Sequence, residues 1–294
     1  MITGAILDFD GTLFDSMHVW NKAGERYLFG KGRMPAPGLK ERLKALSLFQ
    51  SACCLKEDYE LADSPQEIMA EINALVEEEY FKYVIDFFRS RPEGGVSIGL
   101  RHLPGADEAG EKAIRRYESY LERYAAQLKR CGSPYGFHTV GSAFAVRGES
   151  YMKCGGMKVR QAGEDFYFLQ AVAKTSGVGL IEKILVHPSA RVSARTPFGT
   201  GQAVRDLLAG KGLNEIPDAA FDRLANLLAA ATAEGVLDSD SPSLPEEEFF
   251  RSEKFFKVWP GIRRNTPRSK LTNAFHIWFD GLKTLRFLHR VSLP

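Results

Sequence analysis

Between Gly141 and Gly201 the chain gathers the residue types that acid–base and phosphate chemistry need. At the centre is Gly163-Glu164-Asp165, an adjacent carboxylate pair heading the run Phe166-Tyr167-Phe168-Leu169. A carboxylate in such a place can take a proton from an attacking hydroxyl. Upstream lie Gly141-Ser142 and the pair Gly155-Gly156, where backbone can approach a ligand closely. Downstream, Arg191 and Arg195 stand four apart in a Ser/Gly/Pro-rich loop. Ordering two guanidinium groups there is costly without an anion, so they are expected to meet phosphate oxygens. His187 follows the apolar run Ile184-Leu185-Val186 as a strand-end histidine would. An acidic pair alone is also an ordinary helix start, favourable to the helix dipole; the flanking motifs are what point to a site.

A second chemical signature opens the chain. The apolar run Ile2 to Leu7 ends in Asp8-Phe9-Asp10-Gly11-Thr12-Leu13. A buried strand that delivers two carboxylates at its C-terminal end can hold a magnesium ion and a nucleophile together.

The elements that position these groups follow from periodicity. Leu39, Leu43, Leu46 and Leu48 recur at near-helical spacing, and Ser64-Pro65-Gln66-Glu67 is a helix start ahead of Ile68, Ile72 and Val76. Tyr80 to Arg91 predicts an aromatic amphipathic helix, broken by Arg91-Pro92-Glu93-Gly94-Gly95, and Val96 to Leu100 a strand. Ala113 to Lys129 predicts a long helix with Tyr117, Tyr120, Leu121 and Tyr124 on one face, a packing face rather than a sugar platform. Phe137 to Val140 is expected to enter the Gly141 motif as a strand, with His138 in a hydrogen-bonded packing role. Residues 218–235 form an Ala/Leu helix, Asp238 to Pro245 has the composition of a flexible linker, and Glu246 to Arg290 is aromatic and basic. That tail is expected to pack as helices on the core, with a membrane-surface helix as the alternative.

Taken together, the motifs from about residue 84 to 290 resemble the catalytic half of a family 2-like glycosyltransferase of the GT-A fold. The resemblance implies Asp165 as base, Glu164 orienting acceptor or metal, Gly155 and Gly156 shaping an acceptor loop with Ser142 nearby, and Arg191 and Arg195 on a nucleotide diphosphate. It also implies a divalent metal, Mg or Mn, and makes His187 a candidate ligand of that metal. The N-terminal nucleotide-binding half and its Asp-X-Asp motif are missing; Asp8-Phe9-Asp10 has that spelling in a different context. The first 80 or so residues are similar instead to motif I plus the helical cap of the haloacid dehalogenase (HAD) phosphatases of the β-phosphoglucomutase type. That implies Asp8 as nucleophile, Asp10 as acid/base and both near magnesium. The later motifs of that family are replaced by weak candidates, Ser97 for its hydroxyl and Lys153 for its lysine, while Glu164-Asp165 stands at a workable distance to serve as its acidic pair.

The expected fold is therefore α/β: an incomplete GT-A-like, Rossmann-type sheet with helices, preceded by a HAD-type strand and helical cap. Its parts are residues 1–83, a transferase-like region over 84–237, and a linker with C-terminal helices over 238–294. Three functions stand open: a nucleotide-sugar-dependent glycosyltransferase acting on a sugar or glycan acceptor, a magnesium-dependent phosphatase or phosphomutase acting on a phosphorylated small molecule, or a non-catalytic fusion. A strand of the phosphatase part replacing a missing strand of the transferase sheet would join the first two.

The bulk properties narrow the partners. A chain of 294 residues has room for a large core, and a net charge of +2 with no dense basic run does not call for nucleic acid. The four cysteines show no metal-ligand spacing, which fits a reduced, cytoplasmic setting. Asp8 and Asp10 interrupt the first apolar run, so no signal peptide is expected, and no apolar stretch is long enough to span a membrane.

Overall fold

A computed structural model of the chain describes residues 5–7, 17–43, 46, 48–158, 160, 162–188, 190 and 199–292. It is a mixed α/β structure. Strand β1 (Ala5–Leu7) is followed by helices α1 (Met17–Gly30), α2 (Leu39–Leu43), α3 (Leu48–Asp58) and α4 (Pro65–Ser90). Tyr27, Leu28, Leu39, Leu43, Ala52, Leu55, Ile68 and Ile72 of these helices form one buried cluster. The start of α4 is a capping box: Ser64 Oγ accepts from the Glu67 amide at 3.3 Å, and Glu67 accepts from the Ser64 amide at 2.7 Å. The expected boundary near residue 83 falls inside α4, which runs unbroken for 26 residues. Apolar residues at both of its ends have separate cores to enter, Ile68 and Ile72 one and Tyr80, Val84 and Phe88 the other.

The next elements are β2 (Gly95–Leu100), α5 (Glu108–Arg130), β3 (Phe144–Arg147), α6 (Gly148–Lys153), α7 (Glu164–Ser176) and β4 (Val178–Val186). The sheet has the order β1-β3-β2-β4, with β3 antiparallel to both neighbours and β2 parallel to β4. Alternation along the strands feeds two cores. Val96, Ile98, Ala143 and Ala145 meet Tyr80, Val84 and Phe88 of α4 on one face; Phe144 and Val146 meet Phe168, Leu169 and Val172 of α7 on the other. Arg147 ties α4 to the sheet, donating to carbonyls of Phe88, Arg91 and Glu93 at the helix C-terminus.

Residues 137–140 are not the expected strand. Ser97 Oγ donates to the His138 carbonyl at 3.0 Å and the Ala143 amide turns back onto the Val140 carbonyl at 2.9 Å, so the stretch lies along β2 outside its ladder.

The chain ends in α8 (Thr200–Leu208), α9 (Asp218–Thr232), α10 (Glu247–Ser252), α11 (Phe255–Arg264), α12 (Leu271–Trp278) and α13 (Gly281–Val291). Helices α9 to α13 share a core with Leu128 and Cys131 at the end of α5. Of the aromatics that suggested a membrane-surface helix, Phe249, Phe250, Phe255, Trp259, Phe279 and Phe287 are buried, and Phe256 and Trp278 are half-buried against the same core. The segment from Asp238 to Pro245 is packed rather than a flexible linker. Leu244 is buried, the Ser239 carbonyl accepts from Trp259 Nε1 at 3.1 Å, and Asp240 pairs with Arg263 at 2.7 Å. Among the described residues no helix is long and apolar enough to cross a membrane.

Candidate active site

Asp165 sits in the first turn of α7. Gly163, at φ 72°, turns the chain into this helix through the left-handed region that glycine adopts without penalty. The Asp165 carboxylate accepts from the Phe166 amide at 2.7 Å and from the Gly141 amide. Gly141 packs closely on this carboxylate: a Cβ there would stand 3.1 Å from Asp165 Oδ2. Burial pushes the Asp165 carboxyl above the ordinary aspartate range, Glu164 beside it pushes the same way, and the backbone amides of Phe166, Asp165 itself and Gly141 pull it back only in part. The helix start that favours a carboxylate is thus outweighed by desolvation. Glu164 itself is exposed.

Both carboxylates line a cleft of about 550 Å³, walled by Tyr117 and Leu121 of α5, Thr139 to Gly141, Ala162 to Tyr167, Gly199 and Thr200, and Leu282 and Leu285 of α13. Helix α13 is held against α7 by Asp280, which accepts from the Lys283 amide at 3.1 Å and pairs with Lys174 at 2.6 Å. Arg160 lies 3.9 Å over the ring of Tyr167 at the cleft edge. Leu121, Thr139, Phe166 and Leu285 also wall a neighbouring cavity of about 170 Å³, whose lining includes Tyr120, Tyr124 and His138. The tyrosines of α5 stack in a ladder, 6.4 Å from Tyr117 to Tyr120 and 6.5 Å from Tyr120 to Tyr124, and serve as both packing and cleft wall.

The other sequence candidates divide. Ser142 is half-buried next to Gly141. Gly155 and Gly156, at φ 82° and 72°, end α6 through bonds from their amides to the Met152 and Tyr151 carbonyls, outside the residues that wall the cleft. His187 Nδ1 donates to the Arg101 carbonyl at 3.0 Å, the partner expected of a strand-end histidine. Ser97 is buried behind His138, and Lys153 is exposed on α6. Asp8, Asp10, Arg191 and Arg195 lie outside the described residues. Among the described residues there is no group of three or more His, Cys, Asp or Glu side chains that could hold a metal ion.

One polar cluster beside the cleft has no counterpart in the sequence reading. His102 follows β2 and is wholly buried. Its Nδ1 lies 3.1 Å from Glu118 Oε1, and its backbone amide donates to the same oxygen. Arg115 reaches Glu118 Oε2 at 2.6 Å and the His102 carbonyl at 3.1 Å. His102 Nε2 lies 3.3 Å from Thr200 Oγ1, the first residue of α8, and Thr200 is hydrogen-bonded to the Tyr117 hydroxyl. Despite burial, its partners hold Glu118 below the ordinary glutamate range. The one local signal is Arg115 three residues before Glu118 on a helix; the rest comes from elements far apart in the chain.

Comparison with known proteins matched no family model, no curated protein and no solved structure.

Proposed function

We propose that the protein is a glycosyltransferase of GT-A-like architecture, moving a sugar from a nucleotide-sugar donor to an acceptor hydroxyl, with Asp165 as the base. The observation that carries this reading is a half-buried carboxylate with a raised proton affinity, fixed by backbone amides in a cleft large enough for a sugar. The acceptor oxygen bonds to the anomeric carbon as its proton passes to Asp165, and the bond to the diphosphate breaks with its electron pair leaving on the diphosphate oxygen. Raised basicity favours that transfer, and Tyr117, Leu121 and Leu285 give the cleft an apolar wall beside the base. Glu164 orients the acceptor. A divalent metal would stabilise the leaving diphosphate; Asp8, Asp10 and His187 are the candidate ligands, and no step here is routed through it.

The test is a thermal melt with UDP and Mn²⁺, followed by turnover of a UDP-sugar panel. A ligand that binds only the folded chain raises its melting temperature. The Asp165→Asn variant should keep that rise and lose about 100- to 10,000-fold in turnover. No rise for the wild type, or full turnover by the variant, sinks the reading.

A second reading is a magnesium-dependent phosphatase of HAD type using Asp8 and Asp10. It is favoured by β1 belonging to the same sheet, running parallel to β2. Its signature is phosphate release from p-nitrophenyl phosphate that disappears in Asp8→Asn.

A further inference from the structure

We propose that the cavity of about 170 Å³ beside the cleft is a binding site for a neutral phenolic ring, with the carboxamide of Gln170 hydrogen-bonded to the phenol hydroxyl. The inference does not rest on the glycosyltransferase reading: it concerns a second cavity and a ligand class which that reading leaves unassigned.

Two helices build the cavity from residues at four-residue spacing. Tyr120, Tyr124 and Leu128 lie along α5, and Phe166 and Gln170 along α7, so each set shares one face of its helix. Among the described residues the wall carries no Lys, Arg, Asp or Glu. A charged ligand would lose its hydration there without a counter-charge, which selects a neutral one. An apolar cavity of about 150 Å³ is enough to take up benzene, and aromatic walls favour a ring in tilted or offset contact. Leu121, Thr139, Phe166 and Leu285 border both the cavity and the Asp165 cleft, which gives the ring its way in.

Apolar packing does not explain Gln170. It is 5% exposed, and its Oε1 is buried with no hydrogen-bond partner among the described residues. Buried polar atoms are nearly always paired, because desolvation without a partner is unfavourable. Two polar neighbours in the wall are engaged elsewhere: the Tyr135 hydroxyl donates to the His276 carbonyl at 2.8 Å, and the His138 ring lies 3.2 Å from Ser97 Oγ. A water at Oε1 would need two or more polar partners. A phenol needs one, and the aromatic wall supplies the rest. Its hydroxyl can both donate and accept, so it fits the carboxamide whichever way the amide is turned.

The probe is phenol, with benzene as the ring that lacks the hydroxyl. Each is titrated into the full chain near pH 7 and read by the methyl NMR signals of Leu128 and Leu282, assigned with Leu128→Ile and Leu282→Ile. Leu128 borders the cavity and not the cleft, Leu282 the cleft and not the cavity. Phenol should move the Leu128 methyls saturably, and benzene should bind about tenfold more weakly, the scale of one hydrogen bond. An apolar cavity without a partner for the hydroxyl would prefer benzene, since the phenol would lose hydration for nothing. Gln170→Met removes the carboxamide and should abolish the preference for phenol. Gln170→Leu repeats the comparison if melting shows that Gln170→Met does not fold, and the wild-type comparison needs neither variant. No saturable response at Leu128, a response at Leu282 alone, benzene binding as tightly as phenol, or a folded Gln170 variant that keeps the preference overturns the proposal.

Discussion

Acidification should destabilise this protein well above the range in which its carboxylates titrate, and His138 is the reason. Its ring stands between two cavities, of about 340 and 170 Å³, beneath Leu121 and Phe137. Burial drops its pKa from 6.5 to about 4; a hydrogen bond to the Ile98 carbonyl resists that drop, and His102 nearby adds to it. The unfolded chain then takes up a proton near pH 6.5 that the folded chain refuses until about pH 4. Stability contributed by the neutral ring is complete above pH 6.5 and is lost as pH falls through that window. At about 1.4 kcal/mol per pH unit the interval amounts to roughly 3 kcal/mol. Half-buried His276, its pKa lowered by desolvation, acts in the same direction, whereas Asp165, with its raised pKa, acts in the opposite one. The measurement must therefore be a difference. Urea unfolding of the wild type and of His138→Gln, at half-unit steps from pH 7.5 to 4, isolates the one ring. Whatever gap separates the two proteins at pH 7.5 should shift by roughly 3 kcal/mol in favour of the variant by pH 4. A gap that stays constant across the window refutes the assignment, as does an NMR titration of His138 with an ordinary midpoint.

Two further perturbations test the packing at the sheet and the capping of α4. A methyl group at Gly94 would stand 2.2 Å from Ser150 Oγ and 2.3 Å from Ser176 Cβ, where α6 and α7 meet the entry to β2. Gly94→Ala should therefore cost about 1–3 kcal/mol, read as a lower urea midpoint with an unchanged slope. Ser64→Ala removes the side-chain half of the capping box on α4 and should cost about 1 kcal/mol in the same assay; an unaffected midpoint would mean that the start of α4 adds nothing to the cooperative unit.

What could be read from the sequence was local. Ser64 and Glu67 are three residues apart, and the bonds they make are the ones that spacing permits. Glu164-Asp165 opens a helix because Gly163 can take a positive φ, again a matter of neighbours. The glycine pair Gly155-Gly156 shows how a local signal can serve two purposes, since backbone freedom equally suits a ligand loop and the termination of α6. Composition misled where tertiary burial decides. Asp238-Ser239-Asp240-Ser241 looks like a tether, yet its carboxylates and carbonyls are occupied by Arg268, Arg263 and Trp259 of later helices. The Glu118–His102–Thr200 cluster was invisible because its members stand 16 and 98 residues apart, and each is an ordinary residue in its own segment.

Topology explains why these distant residues meet. Strands β2 and β4 are parallel, so their carboxyl ends, Leu100 and Val186, lie at one end of the sheet, and His102 and His187 follow directly. Strand β3 is antiparallel to β2 and therefore begins at that end, which brings Gly141 there. Helix α7 leads back to the start of β4, so its own start, with Glu164 and Asp165, stands at the same end. The carboxyl end of parallel strands is where open α/β sheets form ligand crevices, because the connecting segments diverge there. Strand β1 obeys the same geometry: antiparallel to β3, it runs parallel to β2, and Leu7 pairs with Ala145 at the end from which β3 sets out. The transferase and phosphatase readings thus need their carboxylates at one and the same end of one sheet. Comparing Asp8→Asn and Asp165→Asn in both assays, phosphate release and UDP-sugar turnover, is therefore a test of the sheet as well as of the chemistry. Loss of one activity in both variants would mean that the two motifs act as a single site, whereas losses confined each to its own assay would mean two sites sharing only a scaffold.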